Sequence, residues 1–219
     1  MDVYRTEEEQ IAAIKGWWRD NGVGIAVAVV LALSLFGGWK WYQHHERQQQ
    51  VAAVGLYQTL MQSWQQAAEP GANAADADAR MQKAGEQLLT EHAGSIYARF
   101  AGLILAGRAA ESEDYATAEK HLRAVRDVDA GDGVGLVATH RLARVLSAQG
   151  KHEDALALLA GDVAKEFVTA REDARGDILM AQGKRADARI AWQKALDNAD
   201  EKDPVRALLE MKLSYVAGE

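Results

Sequence analysis

From Gly22 to Trp39 the chain reads GVGIAVAVVLALSLFGGW, eighteen residues without a charge. Nothing like it recurs in the rest of the sequence. A helix rises about 1.5 Å per residue, and a bilayer core is about 30 Å thick. Trp18 and Trp39 would therefore stand about 31 Å apart on one helix. Trp17 and Trp18 mark one end of the run; Trp39, Trp41 and Tyr42 mark the other. Rings with a polar handle prefer the headgroup level, so these five side chains are expected at the two membrane interfaces. A cleaved leader would end in small residues. This run leaves through Trp39-Lys40-Trp41-Tyr42, so it is expected to remain as a single spanning anchor.

Past the anchor the pattern becomes helical. Val51, Val54, Tyr57, Met61 and Trp64 follow a 3–4 spacing over residues 51–68. Pro70-Gly71 breaks that helix. A second helix is expected over 76–91 with an aspartate cap at Asp76, and a third over 96–110 capped by Ser95. Gly131-Asp132-Gly133 marks a loop. Asp203-Pro204 opens a last helix to about Val216, which closes the array.

Within this region Ala148-Gln149-Gly150-Lys151 returns as Ala181-Gln182-Gly183-Lys184, 33 residues later. Five residues after each glycine stands an alanine, Ala155 or Ala188. Four residues on stands a large apolar residue, Leu159 or Trp192. Tyr115, Ala118 and Leu122 form a more degenerate copy 37 residues before the first. Glycine ends one helix in a left-handed conformation, the alanine lets two helices cross closely, and the large residue fills the space between hairpins. The spacing resembles the tetratricopeptide repeat. The position where each first helix is expected to carry glycine holds Ala106, Ala143 and Gly176, so the pattern is poorly kept, and the proline that often ends a unit is missing. The expected fold is all-α: an N-terminal transmembrane helix followed by a tetratricopeptide-repeat-like array of helical hairpins.

Charge then bears on topology and partners. Arg5, Lys15 and Arg19 precede the anchor, while Lys40 and Arg47 follow it closely. That small excess places the tail inside. The expected organisation is a cytoplasmic tail over 1–21, an anchor over 22–42, a polar linker over 43–50 and a periplasmic domain over 51–219. Ile11, Ile14 and Trp18 share a helix face, so the tail either lies along the membrane surface or extends the spanning helix. The whole chain carries 25 Lys and Arg against 32 Asp and Glu, a net −7. An acidic domain argues against nucleic acid as partner. There is no cysteine, which excludes disulfides and thiolate metal sites.

No catalytic or cofactor signature emerges. The histidines His44, His45, His92, His121, His140 and His152 form no HExxH, and no P-loop, GxSxG or GxGxxG is present. No catalytic, cofactor or metal residue is assigned, and the chain is expected to be a binding scaffold rather than an enzyme. The first helices of the hairpins would line a concave groove. Counting from Ala106, Ala143 and Gly176, its lining would comprise Phe100, Leu103, Gly107, Val137, His140, Arg144, Asp173 and Asp177. The groove would be apolar at Phe100 and Leu103 and charged at Asp173 and Asp177. Such a surface suits an extended or helical segment of a partner.

Three stretches carry a family resemblance. The first is Tyr4 to Gln10 with Ala12-Ala13-Ile14-Lys15-Gly16-Trp17-Trp18 and Asn21-Gly22 running into the anchor. The second is Arg141-Leu142-Ala143-Arg144-Val145. The third is Arg175-Gly176 with Gly183, Ala188-Arg189 and Ala191-Trp192. Together they resemble the YfgM-type proteins, ancillary subunits of the bacterial SecYEG translocon. That resemblance implies a single-pass inner-membrane protein with a periplasmic repeat domain. It also implies association with SecYEG and with the PpiD-type periplasmic chaperone, and a chaperone-like role in handing emerging polypeptides on. The same architecture would serve a structural scaffold for a division or outer-membrane biogenesis assembly, and co-purification in mild detergent separates the two.

Overall fold

A computed structural model describes residues 7–68 and 74–217. Those residues form nine helices and no strand: α1 (Glu7–Ala68), α2 (Ala74–Glu91), α3 (Ile96–Glu111), α4 (Tyr115–Arg126), α5 (Gly133–Ala148), α6 (His152–Leu158), α7 (Lys165–Ala181), α8 (Arg185–Asn198) and α9 (Val205–Ala217). The Pro70-Gly71 break and the residues before Glu7 lie outside the described residues. The chain divides after Ala52 into two units.

In the first unit the apolar run is helical and its side chains are unburied. Val23, Val27, Leu31, Leu35 and Phe36 are all more than half exposed. So are Trp17, Trp18, Trp39, Trp41 and Tyr42. A helix apolar on every side has no water-facing surface of its own, and it is long and apolar enough to cross a membrane. Residues 7–21 belong to the same helix as the run. The Asn21 side chain donates to the Trp17 carbonyl at 3.0 Å, and the Trp18 ring covers Gly22. The Trp41 ring stacks on His45 with centroids 5.8 Å apart.

In the second unit, neighbours in sequence are neighbours in space: α2 packs on α3, α3 on α4, α4 on α5, α5 on α6 and α7, α7 on α8, and α8 on α9. Three apolar clusters run along this array. Leu60 and Ala53 of α1 meet Met81 and Leu88 of α2 and Ala101 and Leu105 of α3. Leu122, Leu142, Leu146, Leu159 and Ile178 form the middle cluster. Trp192, Ala195 and Leu209 form the last, where α9 covers α8. The small residues of the repeat, Ala118, Ala155 and Ala188, are each 0% exposed.

The hairpin turns share one hydrogen-bond pattern. Lys151 N donates to Leu146 O and Gly150 N to Ser147 O, both at 2.9 Å; Lys184 and Gly183 repeat this on Leu179 and Met180. That pair of bonds closes a helix when the residue after it is left-handed. Gly150 has φ +79° and Gly183 φ +75°. At the first turn Asp114 and Glu113 make the same bonds to Ala109 and Ala110. There Glu113, with φ 61°, takes the position of glycine.

Two local expectations need correction. Asp76 does not cap α2, which begins at Ala74 and holds Asp76 in its first turn, where a carboxylate still meets the positive helix end. Within Gly131-Asp132-Gly133 the loop ends early, because Asp132 caps α5 by accepting from Gly135 N at 2.7 Å. Ser95 caps α3 by accepting from Ala98 N, and Asp203 accepts from Val205 N at the start of α9.

Candidate protein-binding groove

The C-terminal end of α1, α3 and α5 leave a groove of about 460 Å³ between them. Leu103, Ile104, Ala106, Leu122 and Val145 make its apolar floor, and Trp64 stands at its side, 43% exposed. Gly107 opens the middle: a Cβ there would meet nothing within 4 Å. Arg108, Arg141 and Arg144 rim it. The Arg108 guanidinium grips both oxygens of Asp78 at 2.8 Å and Glu111 at 2.6 Å. Arg141 is exposed, and among the described residues its only hydrogen bond is a 3.3 Å contact to the Leu103 carbonyl. A guanidinium held that loosely keeps most of its donors for a partner.

Of the eight residues expected to line a groove, Leu103, Gly107 and Arg144 come together here. The other five stand elsewhere. Phe100 packs towards Tyr57, ring centroids 6.3 Å apart, at the far end of α3. Val137 packs against the middle core. His140 is 4% exposed, with its ring near Phe167, and borders a separate hollow beside Arg171. Burial pushes its pKa down to about 4, with Arg144 and Arg171 adding to the effect.

Asp173 and Asp177 do not form an open acidic end. Arg144 bonds Asp173 at 2.6 Å and Asp177 at 3.1 Å. Lys212 of α9 bonds the same two carboxylates and sits 5.5 Å from the Trp192 ring centroid. Trp192 Nε1 donates to Asp177 at 3.2 Å. These charges tie α5, α7, α8 and α9 together. Two carboxylates between two cations spend their hydrogen-bonding capacity inside the fold.

A second polar clamp was not legible beforehand. Arg99 of α3 is 7% exposed and pairs with Asp132, also donating to the Asp129 carbonyl at 3.2 Å. The Arg99 bond, with help from the Gly135 N–H, holds the Asp132 pKa down to about 2. The one sequence signal available was an arginine at a core-facing position of α3 with an aspartate-rich loop 33 residues on.

Among the described residues no group of His, Asp and Glu is arranged to hold a metal ion. What the geometry defines is a helical-hairpin scaffold with an apolar, arginine-rimmed groove. The comparisons give that class a name. A family model described as a tetratricopeptide repeat-like domain matches residues 15–218. Curated proteins described as ancillary SecYEG translocon subunits are similar over most of their length. The one from Haemophilus influenzae is 28% identical, covering 95% of this chain and 96% of its own. That from Aggregatibacter actinomycetemcomitans is 29% identical over 88% and 90%, and that from Escherichia coli 23% over 99% and 100%. No solved structure gives a significant match. The chain belongs to the tetratricopeptide repeat-like family, and with it to the YfgM-type proteins.

Proposed function

We propose that this protein is a single-pass inner-membrane accessory subunit of the Sec translocon. Residues 22–42 anchor it, 1–21 lie in the cytoplasm, and the repeat domain after the 43–50 linker stands in the periplasm. The observation that carries this reading is the near full-length likeness to proteins named as ancillary SecYEG translocon subunits, the apolar segment included. The domain acts as a chaperone-like adaptor, not as an enzyme. It takes up emerging polypeptide or a PpiD-type chaperone and passes the client on. The groove at Trp64, Leu103, Gly107 and Arg141 is its binding surface: an apolar floor for side chains and an under-used guanidinium for a carboxylate.

The test is extraction in mild detergent with the tagged full chain as bait. Recovery of translocon subunits together with a periplasmic chaperone is the expected result. Recovery of a division or outer-membrane assembly without the translocon would replace this reading with the scaffold one.

A further inference from the structure

On the other side of α3 from the groove lies a second, polar hollow of about 340 Å³, enclosed by α2, α3 and α4. Leu105 and Ala109 face it, two positions on from Leu103 and Gly107, and two residues turn a helix by about 200°. Around it stand Asp78, Gln82, Glu86, Arg108, Asp114 and His121.

The balance of donors and acceptors in this hollow is uneven. Asp78 and Arg108 satisfy each other. Asp114 takes one N–H, from Thr117, as the cap of α4. Glu86 is exposed and makes no ion pair among the described residues. His121 is 94% buried, since only 6% of its surface is exposed, yet its ring has no hydrogen-bond partner among them. Burial keeps this imidazole below its ordinary pKa, with Lys120 adding to the effect and Glu86 and Asp114 opposing it. A neutral ring offers one acceptor nitrogen. The ring is open to the hollow rather than sealed from solvent, so an entering donor meets an acceptor with no internal partner to displace.

We propose that this hollow binds the basic side chain, arginine or lysine, of a polypeptide partner. Glu86 and Asp114 take its charge, His121 accepts one of its N–H groups, and Leu105 supports its alkyl stem. Among the described residues Glu86 and Asp114 make no ion pair, and the cation on the wall, Arg108, is taken up by Asp78 and Glu111, a balance that favours a cation over an anion. This site lies across α3 from the groove and shares only Arg108 with it.

The test uses the full chain in lipid nanodiscs with its histidines labelled with nitrogen-15. Three probes are titrated: acetyl-Ala-Arg-Ala-amide, the same peptide with norleucine for arginine, and spermidine. The arginine peptide should shift the His121 ring resonances to saturation, and the norleucine peptide should leave them in place. Glu86→Gln is the mutational arm, because the Glu86 side chain is exposed and makes no ion pair among the described residues. It should weaken the arginine peptide about threefold to fivefold, as loss of one solvent-exposed charge pair would. Equal shifts from both peptides, no shift at millimolar peptide, or unchanged affinity in Glu86→Gln would overturn the proposal. Spermidine binding more tightly than the peptide would overturn the polypeptide assignment in favour of a free amine.

Discussion

The Trp192 indole is pressed close against Gly176: a Cβ built there would meet Trp192 Cδ1 and Nε1 at 2.4 Å. The ring is 3% exposed and tied by Nε1 to Asp177, so it has little room to retreat. Gly176→Ala should cost about 1–3 kcal/mol as an overpacked contact, and Trp192→Ala about 3–5 kcal/mol. Because both changes act on one contact, the double variant should fall well short of their sum. Urea unfolding of the four proteins measures this. Additive losses would mean that the two residues do not touch.

Glu113 holds a left-handed backbone at the position that Gly150 and Gly183 occupy in the other two turns. Such a conformation costs a side-chain-bearing residue about 1–2 kcal/mol. Glu113→Gly should therefore raise stability by about 1 kcal/mol, less the added freedom of the unfolded chain. Gly150→Ala should lower it by a similar amount. Chemical denaturation curves decide the sign of each.

His140 gives the domain a pH dependence. Its folded pKa is about 4 against an ordinary 6.5, so between those values the unfolded chain binds the extra proton. Stability should therefore fall as pH drops from 7, by about 2 kcal/mol at pH 5, and level off near 4. His121, also lowered, acts in the same direction. Asp132 contributes above its unfolded value of 3.8 and loses that contribution towards 2, which lies below this window. His140→Gln should flatten the profile between pH 5 and 7. An unchanged slope in melting temperature against pH would assign the effect elsewhere.

Gly107 offers a way to close the groove without disturbing the core, since a side chain there enters open space. Gly107→Leu should keep or slightly raise the melting temperature, because glycine is a poor helix former. It should also reduce recovery of the periplasmic partner. Leu103→Glu is the wrong tool for this question, because Leu103 is 9% exposed and belongs to the core. Normal partner recovery by Gly107→Leu would move the binding surface away from this groove.

Membrane topology is tested by labelling. The sequence has no cysteine, so one placed at exposed Glu201 is unique. It should react with an impermeant maleimide in intact spheroplasts. Reaction only after lysis would put the domain in the cytoplasm.

Much of the architecture was legible because it is local. Glycine and the residues around it set the turn at Gly150 and Gly183, and the alanines at 118, 155 and 188 mark where helices cross. The large residues Leu122, Leu159 and Trp192 announce burial by period alone, and all three are at most 3% exposed. The groove was legible only in part. Helical counting found Leu103, Gly107 and Arg144 but could not tell that Asp173 and Asp177 are committed to Lys212, which stands more than thirty residues away. Counting likewise placed His140 on an open face that the packing of α7 covers with Phe167.

The identical tetrapeptides show where the division falls. At both, the sequence determined the turn, because the left-handed glycine and its two backbone bonds involve only residues within one helical end. The two glutamines have different fates. The Gln149 amide donates to the Tyr115 carbonyl at 3.1 Å and to Glu119 at 2.9 Å, binding one hairpin to the next, while Gln182 Oε1 is buried without a partner among the described residues. By itself the sequence determined the spanning run, the helices and the repeat, each governed by neighbours a turn or two away. Only the tertiary structure decided which charges are spent within the fold and which remain for a partner, because the pairings of Arg144 and Lys212 with Asp173 and Asp177 join residues 29 to 39 positions apart.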